Sequence, residues 1–229
     1  MATRTSPKPR AGPRVRVRRG TLSRRDIVGA TLALIRDDPG QTVTMERVAS
    51  ALHTRPRSLY TPVRSREDLL DGAADLALRE WRVELSRGAG WEHQVRSWCR
   101  GLRAQIRRYP PLVQEMTRNG CFRPALLEKI AVLARSLRRA GLEGRALADV
   151  LRWIPQTVIG ASVLELARPR DLQSIEDEAA AIFASMGELE ARDRAEFADI
   201  LPFFSERSLD DLFEYTLGRL VDGIRTRLP

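Results

Sequence analysis

From Leu22 onward the apolar positions recur at helical spacing. Ile27, Ala30, Thr31, Leu34 and Ile35 form one stripe, preceded by Ser23 and Asp26 at the spacing of a capping box and stopped by Asp38, Pro39 and Gly40. A second helix is predicted from Thr44, with Met45, Val48, Ala49 and Leu52 inward. After a joint at His53, Thr54 and Arg55, a short third helix runs over 55–61; Pro56 suits its first turn, Leu59 and Tyr60 pack, and Pro62 ends it. A fourth restarts at Ser65, capped with Asp68, and runs through Leu69, Leu70, Ala73, Leu76 and Ala77 towards Trp81 and Leu85. No long period-two alternation rich in Val, Ile and Thr interrupts the pattern, so the fold class is all-α.

Beyond Gly88 and Gly90 the helices lengthen. Trp91 to Tyr109 carries Val95, Trp98, Leu102 and Ile106 on one face and ends at Pro110 and Pro111; a short helix follows with Leu112, Val113 and Met116. The next spans Pro124 to Gly141 with Leu127, Ile130, Ala134 and Leu137. The eighth, from about Arg145 to Ala167, is apolar on most sides, which predicts a central place, and Pro155 within it predicts a kink. Residues 168–207 are acidic and mixed, consistent with one loose helix. The last helix starts at Ser208, capped with Asp211, and carries Leu209, Phe213, Leu217, Leu220, Ile224 and Leu228. Gly218 and Gly223 lie inside it at about 1 kcal/mol each relative to Ala, which predicts close helix approach.

Charge changes the picture by its distribution. The net value is +9, yet residues 1–20 hold seven basic side chains and no acid, and residues 21–68 hold eight basic and six acidic ones. Residues 69–170 hold eighteen basic and ten acidic groups, and residues 171–229 six and fourteen. The excess is N-terminal, which points to a polyanion met by that end. The first twenty residues, with Arg14, Arg16, Arg18, Arg19 and three prolines, cannot bury a core and are expected to be disordered in isolation.

Other classes fall away. The longest uncharged run near the middle, Trp153 to Leu164, is too short to span a bilayer, and the basic start lacks the apolar core of a secretory signal. Two cysteines, Cys99 and Cys121, make no disulfide framework; a reducing cytoplasm is expected. His53 and His93 are the only histidines, and no phosphate loop, nucleophile elbow or metal-ligand spacing is present. No enzyme, metal or cofactor is expected.

Two helices joined by three residues, the second short and basic, suggest a helix-turn-helix whose second helix enters the major groove of double-stranded DNA. Arg55 and Arg57 can donate to guanine edges or phosphates, and Ser58 and Thr61 suit either.

These residues carry a resemblance. Ile27, Ala30 and Leu34, the run from Thr44 to Leu52, Ser58 to Tyr60 and Ser65 to Leu70, at unbroken spacing, resemble the DNA-binding domain of the TetR (tetracycline-repressor) family of bacterial regulators. More loosely, Trp91, Tyr109 with Pro110, Arg139 to Leu142 and Gly160 are similar to the C-terminal domain of the branch nearest the tetracycline repressor. His53 stands where the family's turn carries Gly, and tolerates a left-handed backbone better than most residues. Pro62 and Val63 replace an aromatic–His pair, Arg66 replaces a Lys, and Glu46 stands where the tetracycline repressor has a base-reading Arg.

Residues 1–20 are read as an arm from their composition; the resemblance, which does not cover them, implies a three-helix DNA-binding domain (21–67) and a larger C-terminal helical ligand-binding and dimerisation domain (68–229). It implies a ligand-responsive repressor on a palindromic operator, homodimeric through the eighth and last helices. DNA contacts are expected from Thr44, Arg47, Arg55, Pro56, Arg57, Ser58, Tyr60, Thr61 and Arg66, with Arg14, Arg16, Arg18 and Arg19 of the arm reaching the minor groove. Effector contacts are expected from Arg82, Trp98, Leu102, Met116, Cys121, Phe122, Trp153 and Gln156. Met116 matches the metal-binding His of the tetracycline repressor, so the expected effector is an apolar or aromatic molecule without metal. A non-specific or architectural DNA binder is the alternative.

Overall fold

The computed structural model describes residues 22–83, 88–117, 123–168, 175–197 and 199–229. Among the described residues every regular element is helical, and the chain divides into two compact units between Leu76 and Ala77. The first holds α1 (Arg24–Asp37), α2 (Met45–Ala51), α3 (Pro56–Leu59) and the start of α4 (Arg66–Glu80). The second holds the end of α4, then α5 (Trp91–Arg108), α6 (Val113–Thr117), α7 (Pro124–Arg139), α8 (Gly144–Leu166), α9 (Ile175–Met186), α10 (Ala191–Ala195) and α11 (Leu209–Arg225). Short 3-10 turns cover Pro110–Leu112 and Leu201–Ser205. The division falls inside α4 rather than at the expected 67/68 boundary, because α4 buries Leu69, Leu70 and Ala73 in one unit and Ala77 and Leu78 in the other.

In the first unit the capping box of α1 forms as its spacing predicts: Asp26 N–H donates to Ser23 Oγ at 3.2 Å and Ser23 N–H to Asp26 Oδ2 at 3.1 Å. Ile27, Val28, Leu32 and Ile35 face the core. At the start of α4, Asp68 N–H donates to Ser65 Oγ at 3.1 Å. The Asp68 carboxylate itself turns elsewhere, accepting from Arg64 N–H at 2.9 Å and from both arms of the Arg24 guanidinium at 2.8 Å. This fork ties the first turn of α1 to that of α4 and holds the Asp68 carboxyl below the usual carboxylate range, first through the Arg24 bond.

In the second unit α5 packs against α7, α8 and α11 with Val95, Trp98, Leu102 and Ile106 inward. Trp81 lies against Trp98, ring centroids 5.3 Å apart at 60°, and Gly101 makes room for it: a Cβ there would sit 2.6 Å from Trp81 Nε1. Three expectations need correction. Helix α4 ends at Glu80 instead of running to Leu85. The described residues of 168–207 carry two helices and a 3-10 turn, not one loose helix. Helix α8 is not buried all round. Its inner face is Leu147, Val150, Ile154, Val158 and Ser162, while Leu164 is 74% exposed and Val163 and Trp153 are exposed with it. The helix continues through the buried Pro155 without a break.

The two glycines of α11 differ. A Cβ at Gly223 would meet the Trp153 ring at 2.7 Å, so the close approach comes from a side chain of α8 in the same chain. Gly218 has nothing within 4 Å.

An ionic seam unannounced by the sequence joins α5 to α8 and α11. Arg103, 7% exposed, donates from Nε to Glu165 at 3.0 Å, pairs with Asp210 at 2.8 Å, and lies over the Phe213 ring at 4.2 Å. Arg107 bonds the same Glu165 and Asp210. Arg100 forks onto Glu214 with two bonds of 2.7 Å, and Arg225 reaches Glu92 at 2.7 Å.

Candidate nucleic-acid interface and regulatory body

The joint between α2 and α3 is a helix stop built from backbone. Thr54 N–H donates to Ala49 O at 2.9 Å and His53 N–H to Ser50 O at 3.1 Å, the paired bonds of a Schellman motif. That motif requires a left-handed residue, and His53 supplies it with φ of 52°, as its place in the turn predicts. The chain then enters α3 at Arg55, with Pro56 in the first turn. This is a single helical turn, shorter than the expected 55–61. It cannot persist alone, and the fully buried Leu59 and Val63 fix it to the unit.

What α3 leaves outside is consistent. Arg55, Pro56, Arg57, Ser58, Tyr60 and Thr61 are all exposed, Tyr60 at 53%. Among the described residues neither Arg55 nor Arg57 makes an ion pair or a side-chain hydrogen bond. These six predicted residues thus share one continuous segment with free donors. Arg64, also exposed, adds a basic side chain that the sequence does not single out, because it stands beyond the Pro62 stop where the periodicity ends.

The other three predicted contacts are partly committed to the fold. Thr44 caps α2, accepting from Arg47 N–H at 3.2 Å. Arg47 donates from Nη1 to Thr42 O at 2.8 Å, and Arg66 from Nε to Val43 O at 2.7 Å. They brace the strand of chain that leads into α2, and each guanidinium keeps other N–H groups outward. Arg14, Arg16, Arg18 and Arg19 lie outside the described residues.

The effector candidates fall into three sets. Trp98, Leu102 and Met116 are buried, and the one polar atom of Trp98, Nε1, donates to Lys129 O at 3.0 Å. Trp98 is therefore a satisfied core residue. Arg82 is exposed after the end of α4, because the helix stops before it. Trp153 and Gln156 sit on the outer face of α8, away from the buried face that carries Ile154 and Val158. Cys121 and Phe122 lie outside the described residues. Cys99 is buried, which pushes its thiol up to about 12 and leaves it unreactive. Among the described residues no cluster of His, Cys, Asp and Glu could hold a metal, and no helix is long and apolar enough to cross a membrane.

A cleft of about 510 Å³ opens between α8 and α11, walled by Ala161, Leu164, Leu209, Leu212 and Phe213 and floored by Arg103 and Glu165. Its rim continues into exposed Leu212 and Tyr215 of α11.

With this geometry, comparison with known proteins is decisive. The C-terminal domain of tetracycline-repressor-like proteins matches residues 86–228, more than half of the chain. The chain belongs to the TetR family. It is 27% identical over 164 residues to the HTH-type transcriptional repressor DrrR1 of Streptomyces coeruleorubidus, covering 71% of this chain and 58% of that protein. An HTH-type transcriptional regulator of Saccharopolyspora erythraea is 28% identical, covering 57% and 54%. The chain thus spans less than three-fifths of the length of the curated relatives it matches. Apo ActR of Streptomyces coelicolor superposes with a TM-score of 0.72 at 22% identity, covering 90% of this chain and 95% of that one. BioQ of Mycobacterium smegmatis superposes with a TM-score of 0.59 at 22% identity, covering 90% and 99%. At these identities the superpositions establish the TetR fold. ActR has been solved with actinorhodin, and BioQ with its double-stranded DNA operator.

Proposed function

We propose that this protein is a cytoplasmic, homodimeric transcriptional repressor that reads a palindromic operator with α3 and is released by a small apolar or aromatic molecule. One observation carries the reading: α3 presents Arg55, Arg57, Ser58 and Thr61 outward with no partner spent on the two arginines, while Leu59 and Val63 anchor it from behind. Free guanidinium forks in the major groove are the commonest means of reading guanine. Selection of bound DNA from a random pool tests it. A two-fold symmetric consensus supports the repressor, and uniform footprints on any duplex would favour an architectural binder instead.

Pairing of two copies is supported by the outer stripe of α8 and α11. Val163, Leu164, Leu212 and Tyr215 are exposed, an apolar patch of the kind that marks a contact with another protein surface. Operator symmetry requires a two-fold dimer. The effector must bind the released geometry better than the DNA-bound one, since equal affinity shifts nothing. Leu102 and Met116 are buried apolar side chains of the body, and ActR in complex with actinorhodin gives a precedent for a bound molecule in the same fold. Arg14, Arg16, Arg18 and Arg19 add a basic arm suited to the adjacent minor groove. Removing residues 1–20 should lower operator affinity and flatten its dependence on salt; an unchanged slope would discard the arm.

A further inference from the structure

Helix α5 carries two stripes with different partners. Arg100, Arg103 and Arg107 meet carboxylates of α8 and α11, at Glu214, Glu165 and Asp210. Trp98, Leu102, Gln105 and Tyr109 form the other stripe, at steps of four, three and four along the helix. It lies on the side where Trp98 Nε1 meets the Lys129 carbonyl of α7. Trp98, Leu102 and Tyr109 are buried and Gln105 is partly buried. Gly101, one turn before Gln105, gives its place to the ring of Trp81.

Gln105 is the anomaly of this stripe. Its Oε1 is shut off from solvent and accepts no hydrogen bond among the described residues. Tyr109 Oη and Glu115 Oε2 are also inaccessible, so buried polar atoms concentrate within 105–115, in a body whose core is otherwise mostly apolar. Buried acceptors are nearly always bonded, because an unmade bond forfeits the one it had in water. Trp98 on the same stripe obeys that rule through Lys129, and Ser162 of α8 obeys it by donating to Val158 O at 2.7 Å. A buried amide that the fold leaves unsatisfied is a cost to folding unless a group arriving from outside bonds it. The side chains flanking Gln105 suit such an arrival. Trp81, Trp98 and Tyr109 supply aromatic surface and Leu102 an aliphatic one, the usual lining of a small-molecule site with few polar groups.

We infer that Gln105 is the polar anchor of the effector site, and that the effector is an aromatic molecule carrying a hydroxyl whose O–H donates to Gln105 Oε1. This rests on the ligand-released repressor proposed above and adds one required polar group to its effector. A hydroxyl both donates and accepts, so it suits an amide, whereas a methyl group leaves Oε1 without a donor.

The test does not depend on the natural effector. Gln105→Leu and Gln105→Met replace the amide by side chains of similar size that need no partner. Both should raise the thermal midpoint of the full-length protein by about 2–4 °C, because a residue kept for a ligand burdens the fold. An unchanged or lowered midpoint shows that Gln105 serves the fold, directly or through a bound water, and overturns the site. Where the two variants differ, Gln105→Met decides, being the closer match in shape. Binding is then read by calorimetry with β-naphthol and β-methylnaphthalene, which exchange a hydroxyl for a methyl. The wild type should prefer β-naphthol by about tenfold or more, and both variants should lose that preference. Equal affinities in the wild type, no binding of either probe, or a preference that survives in either variant overturns the site. Selection of bound DNA with the same wild-type protein separates the two readings. A symmetric consensus beside a failed Gln105 test keeps the repressor and discards the site. A probe preference without a symmetric consensus discards the repressor and, with it, the effector role.

Discussion

The α3 segment and the α5 seam use arginine in opposite ways. In the first, Arg55 and Arg57 on α3 stand exposed without partners, and the fold is held by apolar side chains behind them. In the second, Arg100, Arg103, Arg107 and Arg225 are locked to carboxylates on other helices. A count of basic residues would rank the body well above the reading domain, since residues 69–170 hold eighteen and residues 21–68 eight. Number alone does not mark the surface for a polyanion. An arginine that already forks onto a carboxylate has lost both its charge and its geometry for phosphate or guanine.

This contrast can be broken by four measurements. The largest effect belongs to Arg103. Arg103→Ala leaves the mostly buried Glu165 with Arg107 alone and uncovers the Phe213 ring, and should cost about 3 kcal/mol of stability in urea unfolding. Operator affinity of the fraction that remains folded should hardly change; a large loss there would mean that the seam also serves DNA. Next is Arg57→Ala, expected to weaken the selected operator by about 2 kcal/mol, or roughly 30-fold, with an unchanged unfolding midpoint. A shift in that midpoint would show that Arg57 supports the fold and is not free.

Smaller is His53→Gly. The left-handed φ of 52° strains any residue with a Cβ, so glycine should raise stability by up to about 1 kcal/mol, whereas His53→Val should lower it. The smallest concerns acid. Asp68 has its folded-state pKa depressed by Arg24, so its contribution is present above the ordinary carboxylate range and is lost as pH falls through the depressed value. Wild type should therefore lose stability on acidification more steeply than Asp68→Asn. Parallel curves would show that the Arg24 fork contributes nothing.

Local signals in the sequence located what they could. Ser23 with Asp26, Thr44, and Ser208 with Asp211 all cap the helices they announce, because a cap is set by residues three apart. The left-handed turn at His53 was expected from the resemblance, which places a Gly there. The face of α3 was legible because one turn of helix puts its exposed residues in one continuous stretch. Which way the effector candidates face was less legible. Trp98 and Trp153 are both aromatic residues on long helices, yet one is core and the other surface, and which way each faces depends on what α5 and α8 pack against. The seam of Arg103, Glu165 and Asp210 was invisible for a related reason: its members lie far apart in sequence, and charge spacing along one helix cannot report a partner on another. Trp153 filling the notch at Gly223 joins two features that the sequence offers separately.

The brevity of α3 has a consequence for how recognition would proceed. A helix of one turn has no cooperativity of its own, and its order is borrowed from Leu59 and Val63. Pro56 acts on the other side of the balance. It adds no contact but removes backbone freedom from the unfolded chain, an entropic gain of about 0.4–1 kcal/mol. The reading segment thus meets its operator with its conformational entropy already surrendered during folding. Association should then show the modest heat-capacity change of two preformed surfaces, without the large negative value of a segment that folds as it binds. Discrimination between operators would come almost undiluted from the side chains that touch the bases.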